Sequence, residues 1–387
     1  IVYLHVWRKF GMLDWKNGVF IGFHDFGWSK STYRAETQVL WGIYIGHFTF
    51  LVGMAATSVV LLIPAYLFHI PHMKRVILLG ECLAITAVTM SLLFIFVDLG
   101  RPWLLWHALP FIGQLNFPTS ILAWDILILI AYLILNLGLF VYIILGQYRN
   151  QPRLEKEYFP WMILAIILGI AIHTVTAFML AGLPARPFWH SAILAPRFLA
   201  SAFAAGSAGL ILLFKILQNT TDFFCEREVE RLLTGIMAFA LLIYLFLFSS
   251  EWFTIYYRPV NGHLGANYLY FGLGEQSGLT LWSWSAITAQ LVALIILILP
   301  PLRQRPWFLN GACLFIIAGI LFEKGVGLIL PAFIPTPLGE VTTYKPTWVE
   351  IQVTLGIWAF GTLLFTLLAR VVVAVTSGTL RKPGNLS

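Results

Sequence analysis

Nine apolar segments, each long enough to cross a lipid bilayer, constrain the fold of this chain more than any other feature. A membrane-spanning helix needs roughly 20 mainly apolar residues. Charged residues make up only 11% of the 387 residues, whereas about 25% is usual in soluble domains. The sequence therefore predicts an all-α membrane protein with spans at 39–69, 76–98, 118–146, 158–182, 192–214, 232–253, 280–300, 307–331 and 348–374.

The loops between these segments alternate in their lysine and arginine content, which predicts the orientation of the chain. Cytoplasmic loops of membrane proteins are enriched in these residues. We therefore expect a protein of the cytoplasmic membrane with a cytoplasmic C-terminal tail at 375–387 and an extracytoplasmic segment at 1–38. The expected cytoplasmic set is Lys74, Arg75, Arg149, Arg153, Lys156, Lys215, Arg227, Arg231, Arg303, Arg305, Arg370, Arg381 and Lys382, and the opposite loops carry Arg101, Arg186, Arg258 and Lys345.

The first 38 residues contain neither a full span nor a signal-peptide pattern. Either the first span translocates this segment, or a further helix precedes it. We expect a preceding helix, which would give ten spans with both termini in the cytoplasm.

A weak internal repeat, offset by about 150 residues, divides the segments into two groups. The stretch HFTFLVGMAATSVVLL from His47 resembles RFLASAFAAGSAGLIL from Arg197, and HTVTAFMLAGLP from His173 corresponds to EKGVGLILPAF from Glu323. Small residues in these stretches allow close helix packing in lipid. The repeat predicts two four-helix bundles, at 39–182 and 192–331, followed by one terminal helix at 348–374.

Ionisable residues inside the apolar segments indicate where a functional site lies. A charge at mid-bilayer costs at least ~2.5–3.5 kcal/mol, so such residues are rare unless a polar interior receives them. Most of them fall toward the expected outer ends of their segments, whereas Glu81 lies in the inner third of the second. The outer set is His47, Asp98, Asp125, His173, Arg197, Glu251, Glu323 and Lys324.

Several motifs, in the same order along the chain, resemble the NrfD/PsrC family of quinone-interacting membrane subunits. The likeness covers most of residues 39–350 and is greatest to the longer branch that includes DsrP of the DsrMKJOP complex, HmcC and QrcD. The motifs are DLGRP at 98–102, HTVTAF at 173–178, LPARPFW at 183–189, APRFLASAF at 195–203 and EKG at 323–325.

The resemblance implies a subunit that binds menaquinone as a substrate and holds no haem or iron–sulfur cluster itself. It implies an extracytoplasmic partner with four iron–sulfur clusters, other membrane and cytochrome subunits, and a link to sulfur metabolism. Cys82, Cys225 and Cys313 show no CxxC or CxxH spacing, which agrees with a chain that holds no cluster alone. The positive charge is explained by topology, so we expect no nucleic-acid partner.

Quinone chemistry moves two electrons and two protons at a ring in hydrocarbon, so its site must supply hydrogen-bonding and proton-accepting groups. Histidine is suited because its pKa lies near the operating pH. We expect His47 to be the main partner of a ring oxygen. Tyr44, Asp98, Asp125 and His173 would complete the quinone site, and the candidates for proton transfer are Glu81, Arg197, Glu251, Glu323 and Lys324.

Structural roles for the same residues stay open at this point. The histidines could tie helices together, Asp98 could pair with Arg101, and the second-group charges could form an ion network in which Arg197 pairs with Glu251. Glu323 and Lys324 point about 100° apart on a helix and should not pair with each other.

Two other functions are alternatives. A haem b cytochrome needs facing histidines, and His47 and His173 lie about eight and about ten residues below the outer ends of their segments, at a similar expected depth. A secondary transporter would fit two repeated bundles with membrane carboxylates. Transporter helices are usually broken at mid-membrane, whereas the breaks in this sequence lie mainly at segment ends.

Overall fold

A computed structural model describes residues 41–99, 105–106, 113, 117–151, 153–183, 186–221, 223–257, 263–274, 277–334, 341 and 344–380. It also describes two short antiparallel strands, β1 (Leu13–Asp14) and β2 (Val19–Phe20). The rest of the segment 1–38, the expected Asp98–Arg101 pair and tail residues 381–387 lie outside the described residues.

In the part of the chain that the structure describes, nine helices are long and apolar enough to cross a membrane, as predicted. Their ends follow the predicted segments closely, although α5 and α6 continue farther into the polar sequence around Lys215 and Arg227. The helices are α1 (Ile43–Leu67), α2 (Ile77–Asp98), α3 (Ile121–Tyr148), α4 (Glu155–Ala181), α5 (Leu194–Thr220), α6 (Arg227–Tyr257), α7 (Thr280–Ile298), α8 (Pro306–Phe333) and α9 (Trp348–Thr376).

Short helices lie in the connections. They span Pro71–Lys74, Pro187–Trp189, His263–Tyr270 and Pro300–Arg303. The helix His263–Tyr270 packs against α7 and the end of α8, so it closes the same end of the molecule at which α6 ends.

Two of the spanning helices are interrupted, which corrects the expectation that breaks lie at segment ends. The regular part of α1 ends at Ala55, resumes at Thr57–Leu62 and closes in a π-helical turn at Ile63–Leu67. In α8 the first part, Pro306–Lys324, stops at Gly325. Gly325 has a ψ of −104°, and a Cβ at this position would collide with the carbonyl oxygen of Leu321. The second break therefore requires glycine.

The helices cross in alternate directions, so the bundle has two ends. We call the end at which α1 begins the His47 end, and the opposite one the Lys74 end. At the Lys74 end, Lys74 binds Glu155 at 2.6 Å, and Arg75 and His72 both bind Glu226. Among the residues that the structure describes, most of the lysines and arginines lie at or near this end.

Helix α1 lies at the centre of the molecule. Its most apolar window is 89% buried, against 22% for α9 and 28% for α3, so those two helices face outward. The closest helix pairs are α1–α2, α3–α4, α5–α6 and α7–α8. Helix α1 also packs against α5 and α8, and α9 packs against α2. The two groups of four helices therefore share α1 as their main contact.

The two groups approach each other backbone to backbone where α1 meets the break in α8. A Cβ added to Gly46 would lie 3.3 Å from backbone carbon atoms of Gly325. Thr49 Oγ1 lies 2.9 Å from the carbonyl oxygen of Lys324, which the break leaves outside the regular helix. No side chain larger than glycine fits this crossing without displacing a helix.

Replacing Gly46 with alanine should therefore destabilise the protein. We expect Gly46→Ala to lower the free energy of unfolding by about 1–3 kcal/mol, the usual cost of overpacking, as a lower midpoint of thermal unfolding in detergent. Gly138→Ala is the matched control, because a Cβ on Gly138 meets nothing within 4 Å. Equal midpoints for the two variants would contradict the backbone contact.

Candidate functional site

His47 lies in the second turn of α1 with one ring nitrogen fixed by the backbone. Its Nδ1 is 2.9 Å from the carbonyl oxygen of Ile43. A carbonyl only accepts hydrogen bonds, so Nδ1 must carry the hydrogen, and the neutral ring then keeps a lone pair on Nε2. The ring stacks on Phe94 at 5.2 Å between centroids and meets the edge of Trp358 at 6.1 Å. His47 is thus held as a hydrogen-bond acceptor.

A cleft of about 430 Å³ opens beside His47 between α1, α7 and α8. Small side chains form the α7 and α8 walls, and two aromatic rings, Trp282 and Phe322, complete them. His47 is the one ionisable side chain among these described lining residues. The cleft can hold a flat apolar group next to a single titratable ring. Its lining is Ile43, Gly46, His47, Trp282, Ser285, Ala286, Ala289, Ala318, Gly319, Leu321, Phe322, Gly325 and Val326.

Tyr44 and Asp98 lie near Phe94, the residue on which the His47 ring stacks. Tyr44 is buried and its ring centroid lies 6.3 Å from that of Phe94, the residue on which His47 stacks. Asp98 follows Phe94 by one turn of α2, and its carboxyl is within electrostatic reach of the Tyr44 hydroxyl. These three predicted residues therefore belong to one group at the His47 end.

Sequence reasoning missed the contribution of α9 to this group. Thr347 and Glu350 form a capping box: the Thr347 N–H donates to Glu350 Oε2 at 2.7 Å, and the Glu350 N–H donates to Thr347 Oγ1. The Ile43 N–H donates to the Tyr344 hydroxyl at 3.0 Å. Burial, with Glu350 nearby, raises the pKa of Tyr344 above its ordinary value. The pattern T-x-x-E before an apolar run is a recognisable signal of such a box.

Asp125 of α3 contacts Thr176 of α4, the helix that packs most closely against α3. Thr176 Oγ1 lies 2.6 Å from Asp125 Oδ1 and 2.7 Å from the carbonyl oxygen of Ile172. A threonine hydroxyl has one hydrogen. Both contacts can therefore be hydrogen bonds at once only when Asp125 carries a proton and donates it to Thr176. The arrangement provides a place to store a proton.

His173 lies deeper than His47, so the expectation of equal depth is wrong. It is fully buried, beside the backbone of Gly53 and within electrostatic reach of Lys324. Gly53 follows His47 by nearly two turns of α1, roughly 9 Å along the helix axis. Counting residues from segment ends had ignored the axial offset between α1 and α4. The structure therefore leaves His173 out of the His47 cleft and does not form the facing histidine pair of the haem alternative.

The second group contains a buried ion network centred on Arg197. Its guanidinium binds the carboxylates of Glu251 and Glu323, with side-chain exposures of 13% and 10%, and the Tyr244 hydroxyl also binds Glu323. The expected pairing of Arg197 with Glu251 is confirmed. A buried pair is stable only when good geometry and extra hydrogen bonds offset desolvation, and the Tyr244 hydroxyl supplies one such hydrogen bond to Glu323.

Lys324 points away from that network, as the helical spacing predicted. Its Nζ lies 3.3 Å from the Phe198 carbonyl oxygen and 4.2 Å from the centre of the Phe198 ring. It also approaches Gly53, where an added Cβ would lie 3.0 Å from Nζ. Lys324 therefore lies between the Arg197 network and His173.

Glu81 is fully buried in α2, away from the residues around His47 and from the Arg197 network, and neither of its oxygens bonds to another described residue. It lies within electrostatic reach of Tyr132, whose hydroxyl is 2.7 Å from Ser58 Oγ. The Tyr132 ring in turn borders Gly169, one turn from His173. A row of buried polar residues thus extends through the first group from the His47 end toward the Lys74 end: Asp125, Thr176, His173, Tyr132, Ser58 and Glu81.

The comparison with known families agrees with this architecture. The family model described as polysulphide reductase, NrfD, matches residues 32–334, which is most of the chain. The chain belongs to the NrfD family. The match covers α1 to α8, and hence every predicted site residue, but it ends before α9, which brings Glu350 and Trp358 to the His47 group.

Three curated relatives of this NrfD-family chain are subunits of larger systems. A putative membrane subunit of the dimethyl sulfoxide reductase of Halobacterium salinarum is 26% identical, covering 84% of this chain and 81% of the relative. A selenate reductase subunit of Mesobacillus selenatarsenatis is 22% identical, covering 86% and 85%. An Hdr-like menaquinol oxidoreductase integral membrane subunit of Archaeoglobus fulgidus is 23% identical, covering 85% and 84%.

The Arg197 network predicts a large loss of stability when the arginine is removed. Arg197→Leu should cost about 3–5 kcal/mol, because it leaves two buried carboxylates unpaired. Thermal unfolding in detergent would measure this. Adding Glu251→Gln and Glu323→Gln should recover part of the loss.

Lys74→Leu is the control for that variant. It breaks an ion pair whose side chains are 33% and 47% exposed, so it should cost only about 0–1 kcal/mol. If Lys74→Leu and Arg197→Leu lowered stability equally, the network would have no special structural role.

Proposed function

We propose that this chain is the quinone-binding membrane subunit of a multi-subunit respiratory oxidoreductase. It would exchange electrons between the menaquinone pool and an extracytoplasmic iron–sulfur partner. The observation that carries the proposal is His47, whose ring is fixed through Nδ1 at the wall of an apolar cleft and keeps a lone pair on Nε2.

His47 suits the proton chemistry of a quinol. A quinol hydroxyl donates a hydrogen bond to Nε2, and the ring takes that proton as two electrons leave the quinol. Two protons are released for each two electrons, so a second acceptor is needed. The Asp98 carboxylate on α2 is the candidate, because it lies one turn beyond Phe94, on which the His47 ring stacks. In the reverse direction the same groups donate protons to a quinone.

The cleft suits a two-ring quinone. Small-molecule sites usually enclose about 300–1,000 Å³, and this cleft has about 430 Å³ with aromatic rings and small residues at its walls. The Archaeoglobus fulgidus relative is described as a subunit of a menaquinol oxidoreductase, which supports menaquinone as the substrate. The more specific likeness to the branch that includes DsrP, and with it a role in sulfur metabolism, stays a prediction.

A route for protons is part of the proposal. The row from Asp125 through His173 to Glu81 crosses the first group, and Lys324 lies between His173 and the Arg197–Glu251–Glu323 network. These groups would carry protons between the site and water. Their positions support proton movement toward either end of the bundle.

The partner would dock at the His47 end. The positively charged loops gather at the Lys74 end, which favours a cytoplasmic location for that end, so the His47 end would face outward. Because His47 lies in the second turn of α1, a bound ring would be near that surface and near an iron–sulfur cluster docked there. The relatives described as subunits of reductases support the existence of such a partner.

Removing the His47 ring should weaken quinone binding. We expect His47→Leu to raise the Kd for a short-chain menaquinone analogue at least about tenfold, as for the loss of one good hydrogen bond. Equilibrium binding to the purified complex would measure it. His69→Asn at the Lys74 end is the control, since His69 has a φ of 54° that asparagine tolerates.

An unchanged Kd in His47→Leu would refute the cleft as the quinone site. A pyridine haemochrome assay on the isolated subunit tests the cytochrome alternative in the same preparation. Stoichiometric haem b would show that the subunit is a cytochrome and would refute the proposal that it binds quinone without haem.

Asp125→Asn tests the proton route separately from binding. Asparagine keeps the shape and can donate to Thr176, but it cannot release a proton. We therefore expect an unchanged Kd and a quinol oxidation rate reduced by about tenfold or more, the scale of lost acid–base catalysis. Glu157→Gln, at an exposed carboxylate near Tyr142, is the matched control. Full activity in Asp125→Asn would exclude this residue from the route.

A further inference from the structure

A second cavity, which the proposed function does not use, lies at the His47 end of α6. It has a volume of about 560 Å³ and is open to the surface, and its walls are almost entirely aromatic. The Trp252 ring packs 5.8 Å from Trp284 and 6.1 Å from Phe271, and Tyr256 lies 5.8 Å from Phe271. Phe248 forms a further wall. These packed rings form the wall of the cavity, which we call the aromatic slot.

Buried polar atoms without partners border this slot. The Tyr256 hydroxyl and Nδ1 of His263, whose ring packs on Tyr256 at 5.2 Å, form no hydrogen bond to any described residue. Trp252 Nε1 makes no well-aligned hydrogen bond within the described chain, although the Tyr270 hydroxyl is near. Leaving a buried donor unpaired costs free energy. A ligand with hydrogen-bond acceptors would remove that cost.

Helix α7 separates the slot from the His47 cleft. The cleft is lined by Trp282, Ser285 and Ala286 of α7, whereas the slot is lined by Trp284 and Ile287. With about 3.6 residues per turn, these two sets lie on opposite faces of the helix. The two cavities are thus distinct, and a single ligand cannot occupy both.

We propose that this aromatic slot is a second quinone site, which binds the oxidised ring through the Tyr256 hydroxyl and Trp252 Nε1. Both groups donate hydrogen bonds, and a quinone offers two carbonyl acceptors on a flat apolar ring. The proposal rests on the proposed function, because it assigns a second equivalent of the same substrate class.

The rim of the slot favours a ligand that comes from the membrane. Phe253 and Tyr257 line it and are 64% and 70% exposed, on a helix long and apolar enough to span the bilayer. A hydrocarbon chain could enter too, but it carries no acceptor for the buried donors. Phe248 and Trp252 also line the crevice that holds Arg197 and Glu251, so the second ring would lie beside the ion network.

The experiment is a binding titration of the purified complex with a naphthoquinone that carries one isoprenoid unit. Wild type should bind two equivalents. At ligand concentrations just sufficient to saturate wild type, His47→Leu and Tyr256→Phe should each lose most of one equivalent, and the double variant most of both. Tyr256→Phe deletes one oxygen and keeps the ring, so we expect the Kd of its equivalent to rise about tenfold. Tyr142→Phe, at a half-buried tyrosine near the Lys74 end, is the matched control and should bind as wild type.

The result separates the two proposals. If Tyr256→Phe binds as wild type while His47→Leu loses an equivalent, the second site is refuted and the proposed function stands. If Tyr256→Phe loses an equivalent and His47→Leu does not, the slot is a quinone site and the cleft is not.

Photolabelling of wild type with an azido-naphthoquinone covers the case in which Tyr256→Phe fails to fold. Label on the α6 segment 248–257, displaced by unlabelled quinone but not by phospholipid, would support the slot. Label confined to α1 and α8, or label that phospholipid displaces, would overturn it.

Discussion

The guanidinium of Arg197 joins three helices, because it binds Glu251 on α6 and Glu323 on α8 while its own helix, α5, lies between them. In hydrocarbon none of these charges is tolerable alone, so each helix is held at the depth at which its charge meets the others. That depth also positions Gly325, two residues after Glu323, against Gly46 of α1. The ion network therefore helps to set the position of α8 along α1, and with it the position of the cleft wall beside His47.

Hydropathy predicted the spanning helices well, because a bilayer requires about 20 apolar residues per crossing and each segment contains such a run. It did not predict the interruptions at Ala56 and Gly325. Such breaks are tolerated in membranes only where other groups satisfy the freed backbone. For α8 that group is Thr49, which lies on a helix distant in sequence. A local pattern holds no information about such a partner.

The relative orientation of two side chains was predictable where both residues lie on the same helix. Tyr44 and His47 share a face by their spacing, and Glu323 and Lys324 diverge by theirs. The depth of His173 was mistaken because it depends on how α4 is shifted along α1, which no count within a segment reveals. Trp358 and Glu350 were missed for a related reason: α9 was treated as an addition to the bundles, whereas it packs on α2 and reaches the His47 ring.

The contact between Gly46 and Gly325 has a consequence for substrate choice. Both glycines line the His47 cleft, and their backbones already touch, so the width of the cleft at this point is a distance between two helices. Discrimination between one-ring and two-ring quinones would then depend on helix spacing more than on any side chain in the wall. If the cleft binds quinone as proposed, exchange of a single small residue at this crossing would change which quinone fits without altering His47.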